Sequence, residues 1–213
     1  MHVEIWSDIA CPWCYVGKRR FEAALAGFAH RDAVTVTWRS FELDPRAPRQ
    51  HDVPQPELLA RKYGMSVADA QAMNARMTEA AAAEGLTFRL DDVKVGNTFD
   101  AHRLLHYADA FGKRDALGER LFAAYLGEGA ALGDVETLVL LAGEIGLDPV
   151  AARAVLTSPE YATAVRDEES EAQEIGVTGV PFFVLDRRYG ISGAQSPEVL
   201  RGALEQAWRE RTP

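Results

Sequence analysis

The sequence predicts an α/β protein: a small sheet core of order β-α-β … β-β-α, interrupted by a large all-helical insertion. Three observations lead there. Strand signals, rich in β-branched and aromatic residues, gather near the two ends of the 213-residue chain. The long middle carries apolar residues at helical spacing. Between the first strands and that middle lies a segment broken by Pro45, Pro48, Pro54 and Pro56, which marks a loop or domain boundary.

The elements follow in order. Val3, Ile5 and Ser7 alternate with Glu4, Trp6 and Asp8, predicting a first strand over residues 2–7. Cys11-Pro12-Trp13-Cys14 then opens a helix, because a proline in the first turn lacks an N–H that would be unpaired anyway. Phe21, Leu25 and Phe28 continue its apolar stripe, and the helix should end before Asp32. Val34-Thr35-Val36-Thr37-Trp38 is the second strand, which makes a βαβ unit.

Residues 57–176 read as successive helices. Ser66 with Asp69 forms a capping box before an Ala- and Met-rich run that stops at Gly85. Leu104, Leu105 and Ala108, then Leu117, Leu121 and Tyr125, then Leu138, Leu141 and Ile145 mark three amphipathic stretches. Asp148-Pro149 and Ser158-Pro159 are two further cap-plus-proline starts. Phe182-Phe183-Val184-Leu185 restores strand character, Asp186-Arg187-Arg188 turns, and Tyr189-Gly190-Ile191-Ser192 returns. Ser196-Pro197 starts a last helix with Val199, Leu200, Ala203, Leu204 and Trp208 on its buried face. The core is therefore expected over residues 1–50 and 160–213, and the insertion over 51–159.

Composition excludes several functions. A formal charge of -9 opposes nucleic acid, whose affinity comes from Lys and Arg neutralising phosphates, and opposes anionic membrane surfaces. No apolar run reaches the ~20 residues that span a bilayer. The first residues go straight into a strand pattern without a basic and apolar leader, so the expected compartment is the cytoplasm. No heptad pattern marks an oligomer interface, leaving monomer or homodimer.

The two cysteines of the chain are Cys11 and Cys14, and a Cys-x-x-Cys in a cytosolic protein is redox-active or metal-binding more often than a structural staple. Cys11 falls where a strand gives way to a helix. Unpaired N–H groups and the positive end of the helix dipole stabilise a thiolate there, making Cys11 the nucleophile and the more buried Cys14 the resolving thiol. A zinc site is the competing reading. His102 and His106, four apart on a helix, could join the cysteines as ligands, but the separation of the pairs fits no compact finger. Val177-Thr178-Gly179-Val180-Pro181-Phe182 is the second informative element, a proline opening a strand at a turn that a cis peptide would suit.

These motifs resemble thioredoxin-fold DsbA-like proteins. Trp6-Ser7-Asp8-Ile9-Ala10-Cys11-Pro12-Trp13-Cys14-Tyr15-Val16-Gly17, Asn97-Thr98-Phe99-Asp100-Ala101-His102-Arg103-Leu104, Gly179-Val180-Pro181-Phe182-Phe183 and Gly190-Ile191-Ser192-Gly193-Ala194-Gln195 are similar to the FrnE-like cytosolic branch. The resemblance implies a thioredoxin-like core and a thiol–disulfide oxidoreductase, with Cys11, Cys14 and Pro181 as catalytic residues. Pro181 would be a cis-proline facing the disulfide. Pro12, Trp13, Val180, Asn97 and His102 would bind substrate, Val180 through backbone hydrogen bonds to an extended chain. It implies no resident cofactor and no metal, with a protein or small-molecule disulfide as substrate and glutathione as a redox partner.

Two departures qualify the resemblance. Trp13 stands where periplasmic DsbA proteins have a histidine, which implies a less oxidising couple. The second cysteine pair of some FrnE-like proteins is absent from this sequence. Glutathione-dependent 2-hydroxychromene-2-carboxylate isomerases and kappa-class glutathione transferases share the architecture but put serine at the first redox position. They supply the alternative function, turnover of a small aromatic substrate.

Overall fold

Strand β1 (His2–Ser7) is the central strand of the sheet and is buried along nearly its whole length. The computed structural model describes residues 1–211. It divides into two units, one built from Met1–Leu43 and the segment from Glu168 onward, the other from Asp44–Asp167.

In the first unit four strands run in the order β2-β1-β3-β4, with β2 at Thr35–Ser40, β3 at Phe182–Leu185 and β4 at Tyr189–Ser192. β1 pairs parallel with β2, with Ile5 opposite Trp38, and antiparallel with β3, with Ile5 opposite Phe183. β3 and β4 form an antiparallel hairpin. Its turn places Asp186 and Arg187 at φ 47° and 57°, left-handed values suited to a two-strand hairpin turn although neither residue is glycine.

The alternation read from the sequence sorts β1 between two cores. Val3 and Ile5, with Phe183 and Leu185, pack against Phe21 and Ala24 of helix α1 (Pro12–Ala26). Leu200, Leu204 and Ala207 of the C-terminal helix (Pro197–Arg209) complete that cluster. On the opposite face Trp6 and Val184 meet Ala172 and Val177, and the Trp6 indole donates to the Glu168 carbonyl at 3.0 Å. With both faces covered, Val3, Ile5 and Trp6 of β1 are fully buried.

β1 also buries a charged residue. The Glu4 carboxylate is buried and accepts hydrogen bonds from Arg39 at 2.6 Å and Arg187 at 2.5 Å. Arg39 also reaches Glu168 at 3.1 Å, and Arg187 pairs with Glu171. Burial alone would raise the Glu4 carboxyl, but the two guanidinium groups outweigh it and hold it below the usual carboxylate range.

The second unit is helical. Helices α2 (Gln55–Tyr63), α3 (Val67–Ala83), α4 (Phe99–Asp109), α5 (Arg114–Glu128), α6 (Val135–Glu144) and α7 (Pro149–Leu156) lie within it, and α8 (Ala162–Glu174) carries the chain out of it. Ser66 caps α3 by accepting from the Asp69 N–H, and Asp148 caps α7 in the same way through Val150. Leu104 and Ala108 of α4, Leu117 and Leu121 of α5 and Leu138 and Leu141 of α6 are buried. The segment before α2 is held by backbone pairing, the His51 N–H to the Val95 carbonyl and the Asn97 N–H to the Pro48 carbonyl.

Three sequence expectations shift. β2 runs on to Ser40 because its parallel pairing with β1 continues to the Ser7–Ser40 pair. The helix expected at Ser158-Pro159 begins instead at Ala162. Arg103 draws the carbonyls of Ser158 and Glu160 into a turn and Tyr161 takes φ 60°, a value that no residue inside a helix adopts. On the C-terminal helix, α9, Val199 is exposed and Ala207 takes the buried position.

Candidate active site

A four-residue connection leads from β1 into helix α1, so the Cys-x-x-Cys stands at the carboxyl end of an inner strand. Cys11 is the N-cap residue, with extended backbone, and Pro12 occupies the first helical position. The connection is braced by Asp8. Its backbone carbonyl accepts from the Cys11 N–H at 3.0 Å, and its buried carboxylate accepts from the N–H groups of Ala10 at 3.1 Å and Leu43 at 2.7 Å. The sequence signal for Asp8 is only that of a turn-forming Asp three residues before the N-cap.

Both cysteines are free thiols. They differ in setting: Cys14 is fully buried, whereas Cys11 keeps 6% of its surface and Trp13 between them is 45% exposed. Burial first, and then the neighbouring Cys11 sulfur, push the Cys14 thiol well above its ordinary value. Hydrogen bonding from Ser7 and from the Asp8 backbone acts in the opposite direction without reversing it.

The second motif comes to the same place. Val180-Pro181 is a cis peptide, and the Cys11 thiol donates to the Val180 carbonyl at 3.5 Å. The Pro181 carbonyl accepts from the Gly193 N–H at 2.8 Å, and the next residue, Ala194, accepts at its carbonyl from Arg20 of α1 at 2.7 Å. The hairpin that follows Pro181 is thereby tied back to the helix that carries the cysteines. The structure thus brings together Cys11, Pro12, Trp13, Cys14, Val180 and Pro181.

Asn97 and His102 belong to the helical unit. The Asn97 side-chain carbonyl accepts from the Phe99 N–H at 2.9 Å at the start of α4, and His102 is buried one turn further along. His106, the other histidine of the zinc reading, meets Arg114 at 3.3 Å and stacks on Tyr161. Among the described residues no three His, Cys, Asp or Glu side chains gather in a metal-holding group.

A mixed four-stranded sheet with a dithiol at the start of the helix after its first strand, and a helical block inserted before its closing hairpin, defines a thioredoxin-fold protein of the DsbA type. Residues 2–205 match the DSBA-like thioredoxin domain, and the chain belongs to that family of oxidoreductases. The structure is similar to that of a probable DsbA oxidoreductase, SCO1869, from Streptomyces coelicolor, at 54% identity and a TM-score of 0.97, covering 100% of this chain and 92% of the other. A 2-hydroxychromene-2-carboxylate isomerase shares the fold at 19% identity and a TM-score of 0.71, covering 99% and 97%. So does the cytosolic disulfide reductase DsbM from Pseudomonas aeruginosa, solved with GSH, at 19% identity and a TM-score of 0.66, covering 98% and 100%.

Proposed function

We propose that this chain is a cytoplasmic thiol–disulfide oxidoreductase in which Cys11 is the nucleophile and Cys14 the resolving thiol. The observation that carries the assignment is the asymmetry of the pair. Cys11 stands at the start of the helix, keeps some surface and faces the Val180 carbonyl, while Cys14 is fully buried behind it and holds its proton.

The exchange then balances as follows. The Cys11 thiolate attacks one sulfur of a substrate disulfide, forming a mixed disulfide and expelling the other sulfur as a thiolate that takes a proton. Cys14 gives up its proton and attacks the Cys11 sulfur, closing the Cys11–Cys14 disulfide and releasing the second substrate thiol. The substrate is reduced by two electrons and the protein oxidised by two. A thiol such as glutathione resets the pair by the reverse exchange.

Val180 and Pro181 face the nucleophile, and in this reading the Val180 backbone pairs with an extended substrate segment next to its disulfide, with Pro12 and Trp13 forming the other wall. The roles of Asn97 and His102 in binding substrate rest on the family resemblance and are proposed with it. A cytoplasmic setting accords with the cytosolic relative of the same fold. No helix among the described residues is long and apolar enough to cross a membrane.

The test is a pair of variants assayed with insulin and a small disulfide. Cys11→Ser should abolish reduction, and Cys14→Ser should accumulate a mixed disulfide with substrate that is resolved by added thiol. Unchanged turnover in Cys11→Ser overturns the assignment.

A further inference from the structure

Gly17 lies in the interior of α1, where glycine is a poor helix former and no turn requires it. Its reason is steric. A Cβ at this position would stand 2.8 Å from Pro181 Cγ and 3.5 Å from the Ala194 Cβ, so the proline ring rests directly on the bare helix backbone. A proline ring has little freedom to swing aside, unlike the tip of a long side chain.

The segment after β4, which pairs with Pro181, is held to α1 as well. Arg20, three residues on from Gly17, donates to the Ala194 carbonyl at 2.7 Å, and the Gly193 N–H bonds the Pro181 carbonyl at 2.8 Å. Gly17 lets Pro181 approach the helix, and Arg20 holds the segment after β4, to which the Pro181 carbonyl is bonded. Between them they fix the distance at which Val180 faces Cys11.

We propose that Gly17 and Arg20 are positioning residues that hold the Val180–Pro181 segment at the dithiol, and that this clamp selects disulfides carried on an extended polypeptide over small disulfides. The proposal rests on the exchange function assigned above. The chemistry behind the selection is that a polypeptide must align its backbone with Val180 while its disulfide meets Cys11. A small disulfide needs only the sulfur.

The experiment compares kcat/KM for insulin and for hydroxyethyl disulfide in the wild type, Gly17→Ala and Arg20→Ala, with thermal unfolding of each protein measured alongside. Displacing a substrate-aligning group by about 1 Å can cost up to roughly a hundredfold in rate, so a loss on the order of tenfold is expected for insulin in Gly17→Ala. The rate with hydroxyethyl disulfide should change by less than about twofold. Arg20→Ala, which removes no volume from the contact, should lose selectivity in the same direction and to a smaller extent.

Equal losses on both substrates, or no loss on either, in a folded Gly17→Ala protein overturn the clamp. So does a selective loss in Gly17→Ala that Arg20→Ala does not share. A wild type inactive on both disulfides refutes the exchange function itself, an outcome distinct from these.

Discussion

The Cys11 thiol and the Val180 carbonyl face each other at 3.5 Å, joining the first helix to the loop that enters the third strand. Residues far apart in sequence thus share one hydrogen bond at the dithiol. The dithiol is held between a rigid helix start and a proline-terminated loop, and each part of this frame has a measurable consequence.

Cys14 holds its proton well above the ordinary thiol range, through burial and then through the neighbouring Cys11. A folded pKa raised above its unfolded value contributes stability that is complete below the ordinary thiol pKa of about 8.5 and is lost as pH rises toward the folded value. The dithiol form should therefore lose stability on going alkaline faster than the disulfide form, which has no Cys14 proton to lose. Urea unfolding of both forms between neutral pH and about pH 10 measures it, and parallel slopes would contradict it. At neutral pH a thiol-alkylating reagent should label Cys11 while sparing Cys14.

Glu4 has the opposite sign. Its carboxyl is held below the usual range despite burial, because Arg39 and Arg187 bond its charged form. Its contribution is present above the ordinary carboxylate pKa and disappears as pH falls through the lower folded value. Removing one member of a buried ion pair costs about 3–5 kcal/mol. Arg39 and Arg187 keep contact with water, so Glu4→Ala should cost less, about 2–3 kcal/mol, and flatten the acid limb of the stability curve. Chemical denaturation across pH 3–7 checks both.

Arg103 is buried on α4 and donates to the carbonyls of Val155, Leu156, Ser158 and Glu160 and to the Asp100 carboxylate. It satisfies the carbonyl end of α7 and shapes the turn that delays α8. Arg103→Met fills the volume but strands those acceptors, and should destabilise by about 3–5 kcal/mol. A drop under about 1 kcal/mol would mean water replaces the guanidinium at little cost.

Two glycines of the helical unit meet the same backbone. A Cβ at Gly133 would lie 1.7 Å from the Arg49 carbonyl oxygen, and one at Gly96 would lie 2.1 Å from it. Gly133→Ala must displace that peptide, which cannot rotate away as a side chain does. The expected cost is about 1–3 kcal/mol, read as a lower unfolding midpoint.

Element order and both chemistry-bearing motifs were legible because they rest on local pattern: alternation in β1, a proline just inside α1, a proline before β3. Ser158-Pro159 was misread because a helix-starting dipeptide is a local signal, whereas Arg103, which overrides it, arrives from elsewhere in the chain. The network of Glu4, Arg39, Glu168, Glu171 and Arg187 left no trace at all, since its members sit on separate elements and share no spacing. Gly17 was visible as a glycine inside a helix, but its partner Pro181 becomes apparent only once the loop is seen against α1. Val199 and Ala207 exchanged roles because a helical stripe fixes a face only to within about one residue.

The sheet is assembled from both ends of the chain: β1 and β2 come first, and β3, which completes the pairing of β1, comes only after the helical unit. At ribosomal speeds of about 5–20 residues per second, the wait is on the order of ten seconds. Throughout that interval the nascent Cys11 and Cys14 lack Val180, and the strand that leads into them lacks its β3 neighbour. The pair is thus exposed to whatever oxidants and thiols surround the ribosome before it acquires its native setting. The setting that shields the pair is the last part of the unit to leave the ribosome.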